Sequence, residues 1–392
     1  MKTGLEVLLS DENLLSKLRH ERIGVLAHAA SVTNHGEHIV FALRQKGVNA
    51  ARIFAPEHGL WGAAQDMEGV DHGYDVITER DIVSLYGHSL ESLAPDDRLL
   101  DDLDGVIIDV QDVGARYYTF AYTALFLTKA ALKRGLNVYV IDRPNPINGV
   151  DIEGNLIDDG FHSFVGERSG MTRHGMTLGE MLTMWCSTEC VQELGNLHIC
   201  WMEGWNRSSY YDETECLWAM PSPNMPTLDT AVVYPGMCLI EGTNLSEGRG
   251  TTRPFELFGA PYVKTRAVKD ALDMLHLPGV IFRPLDFKPM FQKQAHQVCH
   301  GFQMHVTDRK TFKPLLTGLA IVCVMYALHE EFAWRTETYE FVNDRLAIDL
   351  LFGNDRVRQS IEKNENPWKI VESFEDETQA WQKRRKEYLY YK

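Results

Sequence analysis

Short apolar runs alternate with amphipathic stretches through the first half of the chain. RIGVLAHA, ARIFAP, DIVSLYG, GVIIDV and NVYVID are brief, β-branched and bounded by turn residues, which predicts strands. Between them, GEHIVFALRQKG has helical spacing that stops at Gly47. TFAYTALFLTKAALKRG is a longer helix closed by Lys133, Arg134 and Gly135. A further helix starts at Thr177, where TLGE places Glu180 to complete a capping box. Strands alternating with helices predict βαβ units, hence an α/β fold with a Rossmann-like, doubly wound parallel sheet.

The tract from Trp205 to Thr230, with AMPSPNMPTLDT inside it, is too rich in proline for regular helix and predicts an extended wall or linker. Beyond it come VVYPGMCLIEG, a helix near AVKDALDMLHL, strands at GVIFRPL and CHGFQMHV, and a long helix around PLLTGLAIVCVMYALHEEF. A chain of 392 residues exceeds what one core usually organises. The expected division is a Rossmann-like domain over residues 1–228 and a smaller α/β domain over residues 229–392.

Four runs that read as buried strands end in acids: Glu57, Asp109 with Asp112, Asp142, and Glu241 at the end of CLIEG. In an open α/β sheet, ligands bind outside the carboxyl ends of the strands. Acids gathered there cost electrostatic energy that fold stability does not require, so the pattern points to carboxylate chemistry. Glu57, in APEHG, sits on a proline-stiffened strand exit and suits a general acid; a capping or salt-bridged acid is the alternative. QDVGARYYTF offers Asp112, Arg116 and Tyr118, either as ligand contacts or as a loop braced by an Asp112–Arg116 pair. IDRPNPING offers Asp142, Arg143 and Asn145. EGTNLSEGRG offers Glu241, Asn244, Glu247 and Arg249 among glycines, without the ending of a phosphate loop.

The formal net charge of -16 argues against a nucleic-acid or anionic-membrane surface. The apolar run LLTGLAIVCVMYAL is too short to span a bilayer. Residues 1–24 lack the basic start, apolar run and cleavage site of a signal peptide, so a cytoplasmic location is expected. The seven cysteines form no CxxC pair and read as reduced thiols. His28, His58 and His174 fall near strand ends, yet no paired-histidine motif accompanies them. No metal and no cofactor is therefore expected, with a His28–His58–Asp112 metal site as the minority alternative.

In order along the chain, the blocks TGLEVLL, FAPEHGLWG, SLYG, DVQDVGARYYTF, DRPNPING, FVG, RHGMTLGE, PSPNMPT, YPGMCLIEGTNLSEGRGTTRPFE, GAPYV and WQKRRKEYLYY resemble the bacterial exo-β-N-acetylmuramidase family. These are NamZ-like proteins of glycoside hydrolase family 171. The resemblance spans nearly the whole chain. It implies an active site in a cleft between the two domains and removal of terminal β-linked N-acetylmuramic acid from the non-reducing end of peptidoglycan fragments, as in cell-wall recycling. It implies Glu57 as the catalytic acid, with Asp112, Tyr118, Glu241 or Glu247 as the second group. His28, His58, Arg116, Asp142, Arg143, Asn145, His174, Asn244, Glu247 and Arg249 are the expected substrate contacts, the arginines facing the lactyl carboxylate. Where the family often has a polar Thr-Asn after the first strand, this chain has AHAASVT, with His28 near the asparagine's place. A carbohydrate-binding protein without catalysis is the alternative of another class.

Overall fold

The structure, a computed structural model, describes residues 1–190 and 194–392. Seven strands form one sheet: β1 (Ile23–Ala27), β2 (Ala50–Ala55), β3 (Gly73–Asp75), β4 (Arg80–Ser84), β5 (Gly105–Asp109), β6 (Asn137–Ile141) and β7 (Leu197–Cys200). Their spatial order is β3-β4-β2-β1-β5-β6-β7, parallel throughout except for the antiparallel edge pair β3–β4. The order reverses at β1, which places the crevice outside the carboxyl ends of β1, β2 and β5.

Alternation within the central strands divides their side chains between two cores. Leu26, Phe54, Val106 and Ile108 face one side, with helices α4 (Phe120–Lys133) and α5 (Leu178–Glu189). Val25, Ile53, Ile107 and Ile141 face the other, with three short helices at Gly4–Ser10 (α1), Glu12–Leu18 (α2) and Ile39–Gln45 (α3). Helices on both faces make the sheet doubly wound, as the alternating pattern predicts. The edge strands β3 and β7, of three and four residues, are too short to stand out in the sequence.

The second unit begins with α6 (Leu228–Met237), whose Thr227 cap accepts from the Thr230 amide. It contains the antiparallel sheet β8 (Leu257–Ala260), β10 (Cys299–Val306), β9 (Val280–Phe287), in that spatial order, with α7 (Thr265–Met274) and the almost wholly buried α8 (Pro314–Leu328). Four helices follow: α9 (Ala347–Phe352), α10 (Arg356–Glu362), α11 (Pro367–Glu372) and α12 (Glu375–Lys386).

One predicted strand is not formed. VVYPGMCLIEG contains no strand: it is the end of α6 running into a 3-10 turn at Cys238–Gly242. A segment buried all round loses the periodicity that separates helix from strand. The helical form is fixed by a crossing with α8, where a Cβ on Gly318 would lie 2.0 Å from the Gly236 carbonyl oxygen.

The C-terminal residues return to the first unit. Trp381 Nε1 donates to the His174 carbonyl at 3.1 Å, and Arg385 donates to the carbonyls of Gly149, Val150 and Gly175. Tyr391 Oη donates to Asp142 Oδ2 at 2.6 Å. Among the described residues no helix is long and apolar enough to cross a membrane.

Candidate active site

Glu57 leaves the end of β2 on a tight turn closed by Gly59 N–H donating to the Pro56 carbonyl at 3.1 Å. His58 in this turn has φ of +72°, an uncommon conformation for a residue with a Cβ. Both oxygens of the buried Glu57 carboxyl are held: Thr119 Oγ1 donates to Oε2 at 2.8 Å and the Met67 amide to Oε1 at 3.2 Å. His58 Nδ1 lies 3.0 Å from the Ala64 carbonyl and braces the loop that carries Met67. Glu57 thus has a fixed position at the crevice that the strand order creates.

Glu57 and His58 line one side of a narrow cleft with a cavity volume of about 40 Å³, together with Asp66, Tyr118, Thr119 and the Ser222–Asn224–Met225 wall of the proline-rich tract. The second unit supplies the other side through Tyr234, Glu241, Arg249, Phe255, Tyr339 and Glu340. The Tyr118 hydroxyl approaches Ser222 without a hydrogen bond of good geometry, and burial raises its pKa well above the usual phenol value.

Arg249 organises the acids on the second side. Its Nη1 lies 2.9 Å from Glu241 Oε1 and 3.2 Å from Glu247 Oε1, its Nε lies 3.5 Å from Asp66 Oδ1, and its guanidinium sits 4.9 Å from the Phe255 ring centre. Burial raises the pKa of Glu241, with Arg249 opposing, and Tyr339 Oη donates to its Oε2 at 2.8 Å. For Glu247, burial acts upward, but Lys293 at 2.8 Å and Arg249 prevail and bring it down to about 2. Glu247 is therefore a permanently charged anchor behind the cleft wall.

Glu340 completes the acidic lining, and no sequence motif pointed to it, to Asp66 or to Tyr339. Tyr86 Oη donates to Glu340 Oε2 at 3.0 Å. Burial, Glu57, Glu241 and Asp66 together push its carboxyl well above the ordinary range.

Profiles of the exo-beta-N-acetylmuramidase NamZ family match this chain over residues 23–229 for the N-terminal domain and 232–391 for the C-terminal domain. The chain belongs to the NamZ family. The peptidoglycan beta-N-acetylmuramidase NamZ of Bacillus subtilis (strain 168) is 38% identical over 392 residues, covering 100% of this chain and 91% of that protein. Two crystal structures of DUF1343 family proteins from Bacteroides fragilis NCTC 9343 are also similar. The first has a TM-score of 0.85 at 30% identity and the second 0.75 at 25%; each comparison covers 100% of this chain and 99% of the other.

Within this NamZ-family cleft stand Glu57, His58, Tyr118, Glu241 and Arg249, with Glu247 directly behind. The other candidates named from the sequence are placed elsewhere and hold partners within the protein, although Asp112 Oδ1 and Arg116 Nε are buried without a hydrogen bond. Asp112 accepts from the Gly114 amide at 2.6 Å and pairs with His174 Nε2 at 3.2 Å. Arg116 does not pair with Asp112; its guanidinium donates to the carbonyls of Asn155, Gly170 and Leu351. His28 spans the Pro221 carbonyl and the Gln111 amide, and burial lowers its pKa to about 3. The Arg143 guanidinium grips Asp109 through two contacts of 2.5 and 2.8 Å.

Asp142 accepts from the Gly179 amide and Tyr391, and burial raises its pKa to about 7 despite these donors. Asn145 bridges the Met176 carbonyl and the Ile147 amide. Asn244 ties the Glu331 carbonyl to Tyr262. These residues shape the strand-end loops and do not line the cleft. His28, His58 and Asp112 each serve a different partner, and among the described residues no cluster of three His, Cys, Asp or Glu is placed to hold a metal ion.

Proposed function

We propose that this chain is a peptidoglycan glycoside hydrolase that releases terminal β-linked N-acetylmuramic acid, with Glu57 as the proton donor. Family membership and the named activity of the Bacillus relative support the reaction class. The observation that carries the residue assignment is the strained turn holding Glu57 inside the inter-unit cleft, with its carboxyl positioned from both sides. A buried carboxyl held in one position can pass a proton to the oxygen that leaves the anomeric carbon.

The acid role is tested by comparing two muramic-acid glycosides. A nitrophenyl group leaves with little help, whereas a sugar hydroxyl needs protonation. Glu57→Gln should lower kcat on a muramyl-glucosamine disaccharide by roughly 10²–10⁴-fold, and less on the nitrophenyl glycoside. Unchanged turnover of both would remove Glu57 from the chemistry.

Recognition of the lactyl carboxylate requires a cation in an otherwise acidic cleft. Arg249 already faces three acids. Arg335 is less committed: its guanidinium lies 5.1 Å from the centre of the cleft residue Tyr339, 3.7 Å from the Met67 sulfur, and only 4.0 Å from the exposed Glu337. Arg335→Met should raise KM about 10- to 100-fold, the worth of one charge-assisted hydrogen bond, with little change in kcat. An amidated lactyl group should abolish the difference between variant and wild type.

A further inference from the structure

Glu340 stands on a turn that its sequence does not favour. Tyr339 and Val342 exchange backbone hydrogen bonds of 2.9 Å in both directions, leaving Glu340 and Phe341 as the two central residues of a tight hairpin turn. Both have positive φ, +46° and +68°. This geometry normally selects Asn-Gly or a similar pair, because a Cβ is strained there. Here two large side chains occupy it: Phe341 packs on Tyr86, and Glu340 is directed into the cleft beside Glu57.

The surroundings of Glu340 differ from those of the other acids. Glu241, Glu247 and Asp66 are each paired with Arg249, and Glu247 also with Lys293. Among the described residues Glu340 has no ion pair, and its one side-chain hydrogen bond comes from the Tyr86 hydroxyl. The titratable groups facing it are Glu57, Glu241, Asp66, Tyr86 and Tyr339. An acid among like charges gains by taking up a proton. Base and nucleophile must both start ionised, but a carboxylate crowded by like charges binds a proton more strongly once ionised than an ion-paired one, which makes it the stronger base of the set.

We propose that Glu340 is the second catalytic carboxyl, the general base that activates water against the anomeric carbon while Glu57 protonates the leaving oxygen. The inference rests on the hydrolase reading above. In one step the water oxygen bonds to C1 and its proton passes to Glu340. The C1–oxygen bond breaks with its electron pair on the leaving oxygen, which takes the proton of Glu57. Return of the proton from Glu340 to Glu57 through solvent restores the pair. Attack by water without a covalent intermediate inverts the anomeric centre.

The test compares wild type, Glu57→Gln, Glu340→Gln and Tyr86→Phe on the nitrophenyl glycoside and the disaccharide. Glu340→Gln should lower kcat roughly 10²–10⁴-fold on both substrates alike, because water must be activated whichever group leaves, with KM changed only a few-fold. The first-formed sugar should be the α anomer by NMR. Tyr86→Phe removes a donor to the charged carboxylate, so the low-pH limb of kcat should move to higher pH. An active Glu340→Gln variant, or a β product, overturns the proposal. If Glu340→Gln fails to fold, an unmoved limb in Tyr86→Phe overturns it. A wild type inactive on both glycosides overturns the hydrolase reading itself.

Discussion

At the scale of single residues, the strand-end acids divide by whether a cation reaches them. Asp109 is wholly buried and gripped through two contacts by Arg143, which also donates to the Val32 carbonyl at 3.0 Å. Asp109→Asn would leave a buried guanidinium without its counter-charge, so denaturant unfolding should show a loss of about 3–5 kcal/mol. Asp142 behaves differently. Burial raises its folded pKa to about 7 from an ordinary 3.8, so between these values the folded state holds a proton that the unfolded state has lost. Its contribution favours folding at low pH and is lost as pH rises through 7. Asp142→Asn should therefore flatten the stability profile between pH 4 and 7, and a profile parallel to wild type would refute the assignment. Residue types at the strand ends were legible in the sequence; their partners were not. Arg116 answers to carbonyls at Asn155, Gly170 and Leu351, which only the folded chain brings together. Glu340 gave no signal because its importance comes from two bulky residues forced into a glycine-type turn.

Among the elements, strands with continuous β-branched runs, such as GVIIDV and NVYVID, were readable because both faces of a parallel strand are buried. The same property misled at CLIEG, where complete burial belongs to a helical segment pressed against α8. The Gly236–Gly318 crossing is backbone against backbone, so nothing flexible can yield to an added methyl group. Gly318→Ala should lose at least about 1–3 kcal/mol although alanine is the better helix former, as thermal unfolding would show. Because α6 leads directly into the turn bearing Glu241, turnover should fall in the same variant. A more stable Gly318→Ala protein would contradict the crossing.

Over the whole molecule, one hydrophobic cluster runs from Phe54 and Ile108 of the large sheet through Leu319 of α8 to Phe258 and Phe302 of the small one. Two units sharing a core should unfold together, so urea transitions followed by far-UV circular dichroism and by tryptophan fluorescence should coincide. Two separated transitions would show that the units are independent. The C-terminal return adds a second tie between the units. Deleting residues 385–392 removes the three carbonyl contacts of Arg385, the Tyr391–Asp142 bond and the Met202 amide bond to Tyr391 at 2.7 Å. At about 1 kcal/mol for each bond, the truncated chain should be several kcal/mol less stable. That tie also sets a timetable for synthesis. Asp142 emerges from the ribosome 249 residues before Tyr391, an interval of roughly 12–50 s at about 5–20 residues per second. Throughout that wait the end of β6 lacks its Tyr391 partner, so the nascent first unit should remain loosely closed and accessible to chaperones until Tyr391 emerges.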